Sequence, residues 1–308
     1  MVFVYILLAL AAIVMLTAYI CFRMAFYATR KETNEEFPIP EGDIYLPYRD
    51  QMIAWMKEVR QLPREDVTIG SFDGLTLRGK YYEYAPGAPI ELMFPGYRGV
   101  AERDLCGGVQ RCFSSGHSAL IVDQRACGES DGNVITFGIR ESRDCHSWIA
   151  FMLERFGKDV KIILTGISMG AATVLIAAGS ELPKNVTGVL ADCGFTSARE
   201  IIQKVIRQMG LPPKLAYPFV KLGAYLYGGF DLEATSPEEA AKTCSVPVIF
   251  FHGEDDDYVP CWMSTVNYQA CRSPRKKLVT IPGAGHGLSY PVAPKEYLQA
   301  LRDFWAGK

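Results

Sequence analysis

Acyl transfer to a nucleophilic side chain needs a nucleophile, a carboxylate and a base that the carboxylate orients, and this chain supplies candidates for them in that order. Gly166-Ile167-Ser168-Met169-Gly170 follows the apolar run 160–165 and precedes the helix-forming stretch 171–179. That context predicts a nucleophile elbow: a strand turns sharply into a helix with Ser168 at the apex, and the small flanking residues let strand and helix approach closely. The helix N-terminus then points unpaired N–H groups and a partial positive charge at any oxyanion formed there.

A serine nucleophile needs a base, and the chain has four histidines. His117 precedes the apolar run 119–122 and lies at the start of a strand, whereas sites on parallel sheets form beyond the strand carboxyl ends. His146 falls inside the helical pattern 139–156 as a packed or half-exposed helix residue. His252 ends the strand-like run 246–251 and precedes Gly253, where it is expected to shape the turn. His286 remains, in the loop Pro282-Gly283-Ala284-Gly285-His286-Gly287 after the strand-like run 277–281. The carboxylate that orients it comes from Glu254-Asp255-Asp256-Asp257, and Asp256 is chosen from its place in His252-Gly253-x-x-Asp256-x-x-Val259-Pro260. Two alternatives stay open: the acidic run is a solvated turn, or Asp192 at the end of the strand-like run 186–191 is the acid.

With Ser168, Asp256 and His286 in that order, the sequence resembles the α/β-hydrolases, in particular their serine-aminopeptidase-like and membrane-anchored bacterial kinds. Met93-Phe94-Pro95-Gly96-Tyr97-Arg98-Gly99 is similar to the family's His-Gly oxyanion loop, with Pro95 where histidine is common. Asp123-Gln124-Arg125-Ala126-Cys127-Gly128-Glu129-Ser130 is similar to its Asp-x-Arg-x-x-Gly-x-Ser segment, with Cys127 where histidine is frequent. The resemblance runs from about residue 67 to the C-terminus. It implies an oxyanion hole made by the backbone N–H groups of Met169 and Tyr97, the loss of either costing about 3 kcal/mol of transition-state stabilisation. It implies no cofactor and no metal.

These groups must be carried by a scaffold, and the hydrophobic pattern describes one. Strand-like runs fall at 67–72, 76–84, 90–94, 119–122, 160–165, 186–191, 246–251 and 277–281, and from the third onward they alternate with helical patterns. The expected fold is therefore α/β, an α/β-hydrolase fold with a mostly parallel eight-stranded sheet flanked by helices. The first two runs form an antiparallel hairpin at the sheet edge through Asp73-Gly74. Helices are expected near 99–114, 139–156, 169–181, 262–271 and 294–305. About fifty residues separate the runs 186–191 and 246–251, more than one crossover needs, which predicts a helical cap at about 195–243. Its Ile201, Ile202, Tyr217, Phe219, Tyr225 and Phe230 either line an acyl pocket or pack the cap on the body.

Residues 2–22 carry no charge and, at about 1.5 Å per residue, span roughly 30 Å, enough to cross a bilayer. A cleaved signal peptide fits less well, because a basic n-region and a small-x-small cleavage site are missing. Arg23, Arg30 and Lys31 follow the segment, so the positive-inside rule places the rest of the chain in the cytoplasm of a single-pass membrane protein. The expected organisation is an anchor at 1–30, a linker and amphipathic helix at 31–62, and the hydrolase domain at 63–308. In the stretch 51–62, Met52, Ile53, Trp55, Met56, Val59 and Leu62 recur at helical spacing.

The nine cysteines, Cys127 among them, show neither metal-ligand spacing nor a disulfide framework, so reduced thiols are expected. A net charge of −2 without a basic cluster argues against nucleic acid as a partner. The expected function is a serine hydrolase cleaving an ester, thioester or amide, carboxylesterase-like, with a small acyl or peptide substrate and no stated oligomeric state. The alternative is a catalytically silent hydrolase fold used as a membrane-tethered binding module.

Overall fold

A computed structural model describes residues 1–29 and 35–307 of the chain. Arg30 and Lys31, used above in the charge argument, and the linker residues up to 34 lie outside the described residues. Eight strands form one sheet: β1 (Glu65–Gly70), β2 (Thr76–Tyr82), β3 (Ile90–Phe94), β4 (Ser118–Val122), β5 (Ile162–Ile167), β6 (Val186–Asp192), β7 (Val248–Gly253) and β8 (Lys276–Ile281). Their order across the sheet is β1-β2-β4-β3-β5-β6-β7-β8. The edge hairpin β1/β2 is antiparallel and β2 runs antiparallel to β4, whereas all pairs from β4 to β8 are parallel.

The helices are α1 (Val2–Ala25), α2 (Arg49–Gln61), α3 (Ala101–Asp104), α4 (Gly108–Ser114), α5 (Ile139–Phe156), α6 (Met169–Ala178), α7 (Ala198–Gln208), α8 (Pro213–Gly228), α9 (Pro237–Ala241), α10 (Trp262–Ala270), α11 (Ser289–Val292) and α12 (Pro294–Trp305). The single helix expected over 99–114 is two short ones, because the chain leaves α3 through Leu105 and turns at a left-handed Gly107 before α4 begins.

The central strands read as continuous apolar runs because both of their faces are covered. Leu92 on β3 and Phe250 on β7 pack into the layer that holds Trp148 of α5 and Leu175 of α6. Their neighbours Met93 and Phe251 face the other way, toward Val109 of α4 and Tyr297 of α12 respectively. Helix α6 is buried along its whole length, which is why its sequence Met-Gly-Ala-Ala-Thr-Val-Leu-Ile-Ala-Ala has no polar stripe. Between β6 and β7, helices α7 and α8 pack on each other, while α9 returns to pack on α6 and α10. Helix α2 turns Met52, Met56 and Val59 inward and stacks Trp55 on Tyr290.

Among the described residues α1 is the one helix long and apolar enough to cross a membrane, with a mean hydropathy of 2.5 over its most apolar window. Most of it is exposed, but Ala18, Phe22 and the following Phe26 are buried, the two phenylalanines in the same apolar cluster as residues of α7 and α8. The chain beyond it is stitched to the body by backbone bonds from Ala28 N to Asn133 O and from Ile135 N to Phe26 O.

A carboxylate is buried on β3. Glu91 on β3 is 1 % exposed and accepts hydrogen bonds from Arg111 at 2.6 and 3.3 Å and from Thr165 at 2.9 Å, with His117 Nδ1 at 2.9 Å. Burial opposes its ionisation, but the Arg111 guanidinium and His117 outweigh it and hold the carboxyl well below the usual range. His117, which precedes β4, is therefore a structural partner of Glu91. Removing one partner of such a pair strands a buried charge, so Arg111→Met should lower the free energy of urea unfolding by about 3–5 kcal/mol. Replacing both groups, Glu91→Gln with Arg111→Met, should restore part of that loss in the same measurement.

Candidate active site

The expected site residues meet at the carboxyl ends of β3, β5, β7 and β8. At the elbow the backbones of β5 and α6 nearly touch: a Cβ on Gly166 would lie 2.1 Å from the Gly170 carbonyl oxygen, and one on Gly170 would lie 2.1 Å from that of Phe94. Only glycine permits both approaches. Between them Ser168 adopts φ +56° and ψ −117°, a conformation an L-residue holds only when its surroundings enforce it. Its N–H donates to the Asp192 carbonyl and its own carbonyl accepts from Ala172 N, which fixes the apex from both sides.

Ser168 Oγ stands 2.9 Å from His286 Nε2, and His286 Nδ1 stands 2.7 Å from Asp256 Oδ2. A carboxylate at that distance accepts, so Nδ1 carries the ring proton and Nε2 is left to accept from the serine hydroxyl. The other carboxylate oxygen, Oδ1, accepts from the N–H groups of Tyr258 and Val259 at 2.9 and 2.7 Å. Asp192, the rival acid, is buried and turned away. Its two oxygens accept from Ser289 Oγ at 2.9 Å and Tyr297 Oη at 3.0 Å, and burial pushes its carboxyl up.

His252 has a role that sequence reasoning missed. It does bind the turn, since its Nε2 donates to the Val259 carbonyl at 2.7 Å, and Ser264 Oγ lies 2.6 Å from its Nδ1. The same Nε2 is also 3.2 Å from Asp256 Oδ2, so two imidazoles flank one carboxylate. Burial opposes the charge on Asp256, yet the hydrogen bonds from His252 and His286 outweigh it and hold its carboxyl down at about 2. The motif His252-Gly253-x-x-Asp256 carried that signal, because a residue at the end of β7 and one three positions into the next turn can face each other.

The loop after β3 lies over the serine. A Cβ on Gly96 would lie 3.5 Å from Ser168 Cβ and 3.9 Å from its Oγ. Met169 is the first residue of α6, so its N–H has no carbonyl one turn earlier in the helix. The loop is held from three sides. Asp104 accepts from Gly96 N at 3.1 Å. Gln124 Nε2 donates to the Pro95 carbonyl at 2.7 Å while its Oε1 accepts from Thr173 of α6 at 2.9 Å. The third side is the end of α1: Tyr97 Oη donates to the Ala25 carbonyl at 2.8 Å, and Arg98 donates to those of Met24 and Tyr27 at 2.9 and 3.0 Å. Nothing in the local sequence announced this last contact.

The segment after β4 is a brace. Asp123 accepts from Ala101 N and Glu129 N, and Arg125 makes paired hydrogen bonds to both Asp144 and Asp73. Cys127 is a buried thiol whose ionisation burial disfavours. Cys193, Asp256 and His286 have ligand atoms within 4.8 Å of one another, the one such group among the described residues. Burial pushes the Cys193 thiol well above its ordinary range and the imidazole is engaged at both nitrogens, so these donors suit a hydrogen-bonded array better than a cation.

Residues 92–224 match the family model described as alpha/beta hydrolase fold. The chain is similar to the Bacillus subtilis protein YqkD, 28 % identical over 190 residues that cover 61 % of this chain and 62 % of that protein. It is similar to bem46 of Schizosaccharomyces pombe, 25 % identical over 61 % of this chain and 58 % of that one, and to the polyketide transferase ATR5 of Stachybotrys chlorohalonatus, 34 % identical over 42 % and 44 %. The chain thus spans less than two thirds of the length of these curated relatives. Among solved structures, the esterase Pf2001 of Pyrococcus furiosus superposes with a TM-score of 0.65 at 21 % identity, covering 87 % of this chain and 96 % of that one.

The double grip on Asp256 has a measurable signature. The unfolded chain protonates this carboxyl near its ordinary 3.8 and the folded chain near about 2. The carboxylate therefore adds stability above about pH 4, and that contribution is lost as the pH falls from about 4 to about 2. In urea unfolding followed from about pH 4 down to about pH 2, the stability gap between the parent and Asp256→Asn should shrink as the pH falls. A gap that does not change with pH would count against the assignment.

Proposed function

We propose, for a chain that has the α/β-hydrolase fold, that it is a serine hydrolase working through an acyl-enzyme. Ser168 Oγ attacks the substrate carbonyl carbon while His286 Nε2 takes the hydroxyl proton. Asp256 holds the imidazole in the tautomer that can accept, and its charge stabilises the imidazolium that results. The carbonyl oxygen becomes an oxyanion between the N–H groups of Met169 and Tyr97. Collapse of the tetrahedral intermediate expels the leaving group, which His286 protonates. Water, deprotonated by His286, then attacks the acyl carbon and frees Ser168.

The observation that carries this reading is the continuous pair of hydrogen bonds, 2.9 Å from serine to histidine and 2.7 Å from histidine to aspartate. The names borne by similar proteins agree on acyl chemistry: an esterase, a thiohydrolase and an acyltransferase. An ester is the substrate bond proposed here, because the roof over the site is apolar. Met169, Phe195, Ile201, Ile202 and Phe230 share one buried cluster.

The chain is further proposed to be a single-pass membrane protein, with residues 1–30 as anchor, 31–62 as linker and amphipathic helix, a hydrolase domain at 63–308 capped over about 195–243, and that domain cytoplasmic. The length and hydropathy of α1 support the anchor, and Arg23 at its carboxyl end supports the orientation. The burial of Phe22 and Phe26 beneath the cap supports retention of the segment.

The test is Ser168→Ala in the full chain. It should lower kcat on a short water-soluble ester by at least about 10³-fold and abolish labelling by a fluorophosphonate, with an unchanged unfolding curve. A binding module would turn over nothing even with Ser168 in place, and undiminished turnover in the variant would remove Ser168 from the mechanism.

A further inference from the structure

The cap and the N-terminal helix meet backbone to backbone. A Cβ on Gly223 of α8 would lie 2.4 Å from the Ala18 carbonyl oxygen and 3.1 Å from Phe22 N, so the helices cross where only glycine fits. Beyond the crossing, Tyr227 Oη donates to the Met15 carbonyl at 3.1 Å, and its ring lies 5.2 Å from that of Tyr19 and 6.0 Å from that of Phe22. Together these contacts fix the position of α8 along α1.

That position has a consequence if α1 crosses a bilayer, as proposed above and on which this inference rests. Arg23 is the first charged side chain after the apolar span and belongs at the headgroups. At about 1.5 Å per residue, Ala18 lies about 7 Å and Met15 about 12 Å to the apolar side of Arg23. The α8 residues touching them, Gly223 and Tyr227, are carried to the depth of the acyl chains, at and just beyond the roughly 5–10 Å at which interfacial helices sit.

The composition of α8 fits that environment. Between Pro213 and Gly228 there is no acidic residue, and the charges are Lys214 and Lys221. Leu215 is 70 % exposed, Tyr225 65 % and Leu226 43 %, while Tyr217, Val220 and Ala224 face the protein. Met209 and Leu211, just before the helix, are also exposed. A face of that kind on a body bathed in water is unfavourable, and the depth set by α1 identifies what covers it. On its inner side the apolar cluster is continuous from Phe22 and Phe26 through Phe137 and Phe195 to Met169, beside the nucleophile.

We propose that α8 is seated in the same leaflet as the carboxyl-terminal part of α1, so that the lipid bilayer covers the outer face of the cap and the site takes an ester whose acyl chain resides in that leaflet. The full chain in phosphatidylcholine vesicles with bromines midway along the acyl chains tests the seat. Leu8→Trp and Leu226→Trp should each add tryptophan fluorescence of which at least about half is quenched, relative to vesicles without bromine. Quenching in Leu8→Trp without quenching in Leu226→Trp would overturn the proposal and leave the anchor standing; no quenching in either would overturn both.

A second measurement reads the substrate. The pair Leu215→Glu and Tyr225→Glu should slow hydrolysis of a long-chain ester dissolved in plain phosphatidylcholine vesicles about tenfold and leave a short water-soluble ester unaffected. Equal effects on the two esters, or none, would overturn the lipid-borne substrate. A parent chain that hydrolyses neither ester would instead defeat the hydrolase reading, while the quenching result still decides where α8 sits.

Discussion

Ser168 is held at φ +56°, a conformation that costs an L-residue on the order of 1–3 kcal/mol, and much of the molecule is arranged so that the cost is met. The two glycines that flank it let β5 and α6 come within bare backbone contact, so the chain has no room to relax the turn. Helix α6 is in turn buried on every side, against the sheet, α5 and α9, which denies it the freedom to tilt away. A rigid elbow of this kind leaves the hydroxyl at a fixed point beyond the strand ends, where the loops after β3, β7 and β8 can reach it.

Those loops are themselves tied to rigid partners. The turn after β7 is fixed by Asp256, whose one oxygen gathers two backbone N–H groups and whose other oxygen faces two imidazoles. His252 comes from within β7 and transmits the rigidity of the sheet to the carboxylate that orients His286. The loop after β3 is tied by Asp104, by Gln124 bridging to α6, and by carbonyls at the end of α1. Helix carboxyl termini leave carbonyls unpaired, and the donors that satisfy them here are the side chains of Tyr97 and Arg98. A segment at the start of the chain thereby meets the loop that lies over Ser168.

The sequence was legible wherever the signal was local. Fully buried strands such as β3 and β7 are continuous apolar runs, and the Gly-x-Ser-x-Gly and Gly-x-Gly-His-Gly segments carry their geometry in their small residues. The eight strands and the edge hairpin could therefore be read in order, and Ser168, His286 and Asp256 could be singled out before their spatial meeting was known. Long-range features were not legible. The contact of Tyr97 with Ala25 joins residues 72 positions apart, and that of Tyr227 with Met15 joins residues 212 apart. Glu91, a charge within an apolar strand, gave no hint of its partners Arg111 and His117. The break at Gly107 did carry a local signal, the Gly107-Gly108 pair, which disfavours a continuous helix and which the expected single helix over 99–114 overlooked.

The central claim is a covalent intermediate on Ser168, and the most direct measurement is mass spectrometry of the full chain acid-quenched during turnover of a soluble acetyl ester. The account predicts one acetyl group, located on the peptide that carries Ser168 and lost when turnover is allowed to finish. Turnover with no acyl group on the protein, or with the acyl group on another residue, would contradict it.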